Sequence, residues 1–399
     1  MTETRVERTT LTLPVTELLN ENPLPRFGEQ TDKVFKDGGL RLREKKGFGQ
    51  NTGYRVLPYR MQDRYAPHTT EKTIDAIVLE NEYLRAIFLP GYGGRLYSLW
   101  DKQAGREGLY CNSEIILRNL ALRDAWFSGG IEWNFGHYGH TYVTCQPVHF
   151  AACTDENGET FLRMYEFERC KQVTFQVDFH LPRAAKALTA HMSFWNRRAE
   201  RAPIFYWTNT AVPQEQGMRV FSGTTHAIAA HLKPFPALSD YRHGKLPYPY
   251  LDGQDASDPT NLPFSTEYFF QNARRAAKAF EAVQYLDGRV FMERSTGNMP
   301  YRKMFCWGTH AGGEHWQRFL AGKASGDYVE VQAGLSRTQV HPSWIEARQS
   351  IHLTQQFMVC QASRMDGPYG EARLKAEEIV RRSLPTRALK AMHRRCKAL

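Results

Sequence analysis

The feature that most constrains the fold of this chain is a long series of short segments in which polar and apolar residues alternate. Clear examples are residues 9–16 and 327–334. Such alternation is typical of strands with one buried face. Turn signals such as Asp-Glu-Asn-Gly at 155–158 separate the segments at hairpin spacing. With roughly fifteen to twenty such segments and sparse helix, the pattern predicts a mainly β fold, one large antiparallel sandwich.

The pattern becomes helical at Tyr369, with a break near Pro385. From Glu371 to Leu399, nine Lys or Arg residues stand against three Asp or Glu residues, so this tail carries +6 of the net charge of +10. We therefore predict two regions. Residues 1–365 form the β-sandwich, and residues 366–399 form a basic helical tail.

Composition argues against several classes of protein. Outside the tail the charges are nearly balanced, so no nucleic-acid partner is expected. No apolar run follows the charged N-terminal residues, and no apolar stretch has the ~18 residues of a membrane span, so neither a secretion signal nor a membrane segment is predicted. The seven cysteines include no Cys-x-x-Cys pair and are interpreted as reduced thiols. These features favour a cytoplasmic protein.

Residues 126–140, Trp-Phe-Ser-Gly-Gly-Ile-Glu-Trp-Asn-Phe-Gly-His-Tyr-Gly-His, combine aromatic faces, polar groups and glycines. The glycines let the backbone turn sharply and let another molecule approach closely. A sugar ring, with apolar C–H faces and a polar edge, is a ligand that such a set suits. A tight aromatic corner of a β-sandwich is an equally good interpretation. The polar candidates are Glu132, Asn134, His137 and His140.

A second polar set lies on the alternating segment Asp-Tyr-Val-Glu-Val-Gln-Ala-Gly at 327–334. In a strand, Tyr328, Glu330 and Gln332 share one face, while the intervening apolar residues share the other. If the polar face lines a concavity, a carboxylate and a carboxamide stand side by side there. If it faces water, it is the ordinary solvated side of a strand.

Five separated segments together carry a resemblance to a known family. They are Leu-Pro-Tyr-Arg-Met-Gln-Asp-Arg-Tyr at 57–65, Gly-Gly-Arg-Leu-Tyr-Ser-Leu at 93–99, Ala-Trp-Phe-Ser-Gly-Gly-Ile-Glu-Trp-Asn-Phe at 125–135, Tyr-Trp-Thr-Asn-Thr-Ala-Val-Pro at 206–213, and Tyr-Val-Glu-Val-Gln-Ala-Gly at 328–334. In this order they resemble the DUF5107 family, over about residues 10 to 360. The resemblance implies a galactose-mutarotase-like supersandwich. Many members carry tetratricopeptide repeats behind the sandwich, but only a short helical segment follows here.

The wider superfamily resembles aldose 1-epimerases, glycoside hydrolase and lyase domains, and sugar-binding modules, which present a concave sheet face to sugars. Mutarotases use a histidine acid and a glutamate base. Their Asn-His-Thr signature is absent from this chain. An epimerase activity is therefore implied only by analogy of fold.

Chemistry at an anomeric centre needs one group that donates a proton and another that removes one or acts as nucleophile. The candidates for these catalytic roles are Glu132, Glu330, His137 and His140. Our hypothesis is that Glu132 and Glu330 face each other across a sugar pocket. A carboxyl separation of about 5 Å would then indicate retention, and roughly 6.5–9.5 Å inversion.

Further residues are candidates for binding a sugar through stacking or hydrogen bonds. Each tryptophan among them has the alternative of a core position, and Asn209 needs hydrogen-bond partners if its otherwise apolar strand is buried. These candidates are Arg95, Trp133, Asn134, Trp207, Asn209, Trp307, Gln332 and Tyr328.

The histidines at 137 and 140 have two interpretations, a metal site or hydrogen-bonded side chains that stabilise the loop. Glu132 with His137 and His140 offers ligands that suit zinc or manganese, but His-x-x-His without further ligand spacing is weak, and no metal is predicted. There is no dinucleotide fingerprint and no phosphate-binding loop. No organic cofactor is expected.

Three functions remain open from the sequence. The first is a glycoside hydrolase that uses paired carboxylates on a mono- or oligosaccharide. The second is an aldose or sugar-phosphate 1-epimerase that uses Glu and His. The third is a non-catalytic carbohydrate-binding protein. A deep cleft with two opposed ionisable groups favours an enzyme, a pocket for one ring with His and one Glu favours the epimerase, and a shallow aromatic platform favours binding.

Overall fold

The computed structural model describes residues 4–27, 37–50, 56–136, 139–230, 243–251, 253–322 and 325–399. The described strands are β1 (Arg5–Leu18), β2 (Pro25–Phe27), β3 (Val56–Arg60), β4 (Tyr65–Glu80), β5 (Leu84–Leu89), β6 (Arg95–Asp101), β7 (Arg106–Glu107), β8 (Ile131–Asn134), β9 (His149–Thr154), β10 (Thr160–Glu168), β11 (Val173–His180), β12 (Leu188–Trp195), β13 (Ala202–Ile204), β14 (Trp207–Pro213), β15 (Arg219–Ser222), β16 (His226–Ala229), β17 (Gly244–Pro247), β18 (Tyr250–Leu251), β19 (Gln254–Asp255), β20 (Thr266–Phe270), β21 (Phe280–Gln284), β22 (Arg289–Ser295), β23 (Tyr301–Cys306), β24 (Tyr328–Gly334), β25 (Ser343–Ile345) and β26 (Ser350–Gln361).

The helices in the same ranges are α1 (Leu42–Lys45), α2 (Ala311–Ala321), α3 (Tyr369–Ser383) and α4 (Thr386–Ala398). Pro385 separates the two C-terminal helices, as the sequence pattern predicts, because proline at this point has no N–H for a continuing helix. None of the helices in the described ranges is long and apolar enough to cross a membrane.

Two large antiparallel sheets account for most of the described strands. The first has 12 strands, in the order β1-β4-β5-β6-β8-β14-β24-β23-β20-β16-β17, with β7 paired to β6. The second has 8 strands, in the order β15-β21-β22-β26-β12-β11-β10-β9. The predicted mainly β, antiparallel sandwich with helices at its C-terminal end is therefore confirmed.

The main hydrophobic core lies between these two sheets. The ring of Trp133 on the first sheet lies 6.1 Å from that of Phe357 on the second, and Phe135 stacks on Phe194 at 4.8 Å. All four rings are buried, and each buried Phe contributes roughly 1.5–3 kcal/mol. Thr208 points the same way, since its hydroxyl donates to the side-chain carbonyl of Gln355 on β26 at 3.0 Å.

Because side chains alternate along a strand, the neighbours of these core residues point to the other face of the first sheet. Glu132 precedes Trp133 and Asn209 follows Thr208, so both project from the face that is turned away from the second sheet. We call this face of the 12-stranded sheet the outer face. The candidate site is built on it.

Candidate functional site

Four polar residues form a row across the outer face. Asn209 on β14 lies directly opposite Glu132 on β8 and, on its other side, opposite Gln332 on β24. Gln332 in turn lies opposite Lys303 on β23. Residues that are directly opposite in antiparallel strands share a face. The register therefore gathers four residues from distant parts of the sequence.

A second row runs parallel to the first, two residues further along each strand. It contains Ala211, Glu330, Phe305 and Glu267 in that order across β14, β24, β23 and β20. Glu330 thus shares the outer face with Glu132, with one strand between them. From strand spacing and rise, their Cα atoms lie roughly 12 Å apart.

These rows border a cavity of about 540 Å³. Its polar wall includes His140, Glu267, Lys303, Glu330 and Gln332. Its apolar wall includes Trp126, Phe305 and Trp307. A concavity of this size with aromatic faces and a few convergent polar groups is typical of a small-molecule site.

Two glycines turn the chain into β8 and so aim Glu132 at this region. Gly129 and Gly130 have φ angles of +97° and +67°, a backbone region that L side chains rarely adopt. A Cβ on Gly130 would also collide with the carbonyl oxygen of Leu96 on β6. Close approach of β6 and β8 therefore requires glycine here.

Glu132 lies at the base of the cavity, behind His140. The carboxylate is almost fully buried and is not part of the cavity wall. Its Oε2 accepts a hydrogen bond from Nε1 of Trp126 at 2.8 Å and lies 3.3 Å from Nδ1 of His140. The His140 side chain is 23% exposed and lines the cavity. Glu132 therefore reaches the cavity through an imidazole.

Charge balance keeps the carboxylate of Glu132 ionised. Burial by itself would raise the pKa of Glu132, but the charge and hydrogen bond of His140, then Arg95 and Trp126, outweigh it and lower the pKa to about 2. The nearest guanidinium nitrogen of Arg95 is 4.0 Å from Oε2. An anion is thus held permanently next to the imidazole at neutral pH.

Glu330 is shifted in the opposite direction. Burial raises the pKa of Glu330 above its usual value, although Lys303 and His140 oppose this shift. The side-chain amide of Gln332 donates to Oε2 of Glu330 at 2.9 Å. Titratable groups whose surroundings move their pKa values apart are candidates for acid and base roles.

Lys303 and Glu267 are functional candidates that the sequence analysis missed. They form an ion pair of 2.8 Å in the cavity wall, and both side chains are at most 13% exposed. The ammonium also lies 5.2 Å from the ring centroid of Phe269. Alternation along β23 places Lys303 and Phe305 on one face, but their proximity to Glu330 depends on strand pairing.

Among the predicted sugar-binding residues, Trp307 and Gln332 line the cavity. Trp307 stacks on Trp316 at 5.3 Å and donates from Nε1 to the hydroxyl of Tyr328 at 3.0 Å. The other predicted residues are buried and lie outside the cavity wall: Arg95, Trp133, Asn134, Trp207, Asn209 and Tyr328.

Arg95 shows why such a residue lies outside the cavity wall. Its guanidinium donates to the carbonyls of Phe127 and Gly129, at 3.1 and 2.7 Å, and to the hydroxyl of Thr144 at 3.0 Å. It therefore fixes the loop before β8. Trp133 likewise faces the second sheet and donates to the carbonyl of Gly94 at 3.1 Å.

His137, a predicted catalytic residue, lies outside the described residues. Within the part of the chain that the structure describes, no group of three or more His, Cys, Asp or Glu side chains is arranged to hold a metal ion. The ionisable side chains of the cavity wall are those of His140, Glu330, Glu267 and Lys303.

The model of DUF5107, a domain of unknown function, matches residues 52–357. Among solved structures, a TPR-domain containing protein from Parabacteroides distasonis superposes with a TM-score of 0.72 at 19% identity, over 91% of this chain and 56% of that one. This chain thus spans little more than half the length of that protein.

Two shorter proteins share the sandwich. A galactose mutarotase-like protein from Clostridium acetobutylicum has a TM-score of 0.51 at 11% identity, over 72% of this chain and 96% of its own. A candidate aldose 1-epimerase from Klebsiella pneumoniae has a TM-score of 0.54 at 12% identity, over 77% and 83%. At such identities the likeness establishes the fold alone.

Proposed function

This chain belongs to the DUF5107 family, and since that membership brings no activity with it, we propose that the protein is an aldose 1-epimerase, a mutarotase that interconverts the anomers of a sugar. The observation that carries the proposal is the position of His140 and Glu330 in the wall of one cavity, with Glu132 behind the imidazole.

The proposed reaction needs one proton donor and one proton acceptor. Glu330 takes the proton from the anomeric hydroxyl, and His140 gives a proton to the ring oxygen. The bond between C1 and the ring oxygen breaks, which yields the open-chain aldehyde. Rotation about C1–C2 and closure by the reverse proton transfers form the other anomer, so both residues return to their starting states.

Glu132 supports the acid in this scheme. A carboxylate with a pKa of about 2 is ionised throughout the neutral range. Placed 3.3 Å from Nδ1 of His140, it orients the imidazole ring. The raised pKa of Glu330 suits a base, since a base with a pKa nearer to neutrality accepts a proton more effectively.

The remaining wall suits the shape of a sugar. Trp126, Phe305 and Trp307 provide flat apolar surfaces for C–H faces. Lys303 and Gln332, in the same wall, provide donors for hydroxyl groups. Removing this aromatic surface is expected to weaken binding more than turnover.

Hydrolysis of a glycoside is the second candidate, and one observation favours it. Glu267 and Glu330 both line the cavity and flank Phe305 on neighbouring strands. Most glycosidases use two carboxyl groups that flank the scissile bond. The ion pair between Glu267 and Lys303 disfavours this role, because the carboxylate of Glu267 is already engaged by the ammonium group of Lys303 at 2.8 Å. The pair first predicted, Glu132 with Glu330, is less suited because Glu132 lies behind His140.

The test is exchange NMR on the two anomers of aldoses and aldose phosphates, with and without protein. We expect faster interconversion for at least one sugar, lost in Glu330→Gln and in His140→Gln. The matched control is His149→Gln, since His149 is exposed on β9 of the other sheet. Release of reducing ends from oligosaccharides would instead indicate hydrolysis, and saturable binding without either reaction would indicate a binding protein.

A further inference from the structure

A second cavity, of about 310 Å³, is lined by an unusual number of cationic side chains. We call it the basic pocket. Tyr301 lines the basic pocket. This residue lies on β23 two positions before Lys303, so both side chains project from the outer face of the sheet. Its charged and titratable wall residues are Arg43, Lys46, Arg201, Arg274, Arg337 and His341.

The five Lys and Arg side chains of the basic pocket have no ion-pair partner among the described residues, and no Asp or Glu belongs to its wall. Glu44 is an acid that interacts with Arg337 of this wall. Its carboxylate accepts a hydrogen bond from the backbone N–H of Arg41 at 2.9 Å and lies 3.6 Å from Lys245. Burial tends to raise the pKa of Glu44, but these contacts and Arg337 lower it. Among the described residues, the charge of these five side chains therefore remains largely uncompensated.

Two of the guanidinium groups are held in position by uncharged side chains. Arg337 donates from Nη1 to the side-chain oxygen of Gln271 at 2.6 Å and lies 5.3 Å from the ring centroid of Tyr301. Arg201 lies over the ring of Trp344 at 4.2 Å. Stacked guanidinium groups keep most of their N–H donors available and lose little entropy when they bind an anion.

His341 adds shape to the basic pocket without adding charge. Burial, followed by the nearby Arg337, lowers the pKa of His341 to about 4, although a hydrogen bond to the backbone of Glu44 opposes this. Its Nε2 donates to the carbonyl of Glu44 at 2.8 Å, and Nδ1 accepts from the hydroxyl of Thr338 at 2.6 Å. The imidazole is thus a neutral, fixed part of the wall.

We propose that the basic pocket binds a small phosphorylated molecule. Like charges that are gathered in a concavity repel one another, and a bound anion relieves this repulsion. The fork of an arginine matches the oxygens of a phosphoryl group. The volume of the basic pocket lies at the lower end of the range for small-molecule sites, so a compact ligand fits.

The basic pocket is distinct from the proposed mutarotase cavity, although the two share elements. Tyr301 and Arg337 line the basic pocket, while Lys303 and Gln339 line the other cavity. None of the residues proposed for proton transfer belongs to the basic pocket. The inference therefore does not depend on the proposed function.

The test uses calorimetric titration of the full chain with inorganic pyrophosphate, inorganic phosphate and chloride at matched, low ionic strength. We expect saturable binding of pyrophosphate, weaker binding of phosphate and none of chloride. The double variant Arg43→Ala, Arg274→Ala should lose affinity by about tenfold or more, because hydrogen bonds from charged donors are removed. Both side chains are exposed, so folding should be unaffected.

The matched control is Arg183→Ala, since Arg183 is an exposed arginine that does not belong to the basic pocket. It should bind pyrophosphate like the parent chain. The proposal is overturned if pyrophosphate does not bind, if chloride competes equally, or if the double variant binds as tightly as the control. Mutarotation by the double variant is measured separately. Loss of pyrophosphate binding with unchanged mutarotation concerns the basic pocket alone, so a failure of the phosphate proposal can be distinguished from a failure of the mutarotase proposal.

Discussion

Glu132 and His140 form a pair in which the carboxylate is buried and the imidazole, 3.3 Å away, reaches the cavity. The negative charge therefore resides on Glu132, whereas the side chain that meets a molecule in the cavity is that of His140. A carboxylate that faced the cavity would be open to water and to substrate hydroxyls. Behind His140 it interacts with the imidazole, the indole of Trp126 and the guanidinium of Arg95, in surroundings where electrostatic interactions are strong.

The first prediction concerns Glu132→Gln. The amide keeps the shape of the side chain but removes the anion next to His140, so we expect kcat for mutarotation to fall roughly 10- to 100-fold, a part of the usual contribution of a positioned acid. KM should change much less, because Glu132 does not line the cavity. Steady-state polarimetry measures both. A rise in KM with kcat unchanged would show that Glu132 only shapes the binding site.

The second prediction concerns the pH dependence of the reaction. Glu330 must be ionised to act as the base, and burial raises its pKa. Activity should therefore be lost as the pH falls through this raised pKa, at a pH above the ~4.3 of an ordinary glutamate. Mutarotation rates measured from pH 4 to pH 8 test this. If the rate falls only at or below the ~4.3 of an ordinary glutamate pKa, Glu330 does not act as a buried base.

The third prediction concerns Glu281, which is buried between the sheets directly opposite Glu293. Burial, and then the charge of Glu293, raises the pKa of Glu281 well above its usual value. The folded chain therefore binds a proton that the unfolded chain releases above pH ~4.3, so this group destabilises the fold progressively as the pH rises from there.

Glu281→Gln should remove that penalty. We expect the variant to gain stability over the parent chain by about 1.4 kcal/mol per pH unit above the unfolded pKa, until the folded carboxyl also ionises. Urea unfolding at pH 5, 6 and 7 measures the difference. If the gap between variant and parent does not grow with pH, Glu281 is ionised in the folded chain.

The fourth prediction concerns Gly130, whose φ is +67° and whose added Cβ would meet the Leu96 carbonyl. Gly158→Ala is the matched control, since Gly158 has a φ of +78° and open space around its Cβ. The control should lose only roughly 1–2 kcal/mol of unfolding free energy, which is the cost of placing alanine in the left-handed backbone region. Gly130→Ala should lose more, because β6 and β8 must move apart. Equal losses in thermal unfolding would mean that the strands tolerate the methyl group.

Alternation of residue types was enough to predict the sheets, because a strand with one buried face leaves a periodic trace in the sequence. It also predicted that Glu330 and Gln332 share a face, which β24 confirms. The same rule limits the site, since Glu132 and Trp133 are adjacent in a strand and point to opposite faces. Only one of them can reach a cavity on the outer face.

The rest of the site depends on pairings that a single sequence does not reveal. Lys303 lies beside Gln332 because β23 pairs with β24, and nothing near Lys303 in the sequence indicates that neighbour. Arg95 is buried because the loop before β8 surrounds its guanidinium and accepts hydrogen bonds from it. Such contacts between distant segments decide whether a polar residue supports a site or lines it.

Trp126 is both part of the cavity wall and the indole donor to Glu132. Indole emission responds to the polarity and charge around the ring, so this residue is a natural optical probe of the cavity. A molecule that enters should alter the intrinsic fluorescence without any added label, and the signal that Trp126→Phe removes would belong to this position. Occupancy can then be followed in real time, even for sugars that the protein binds but does not convert.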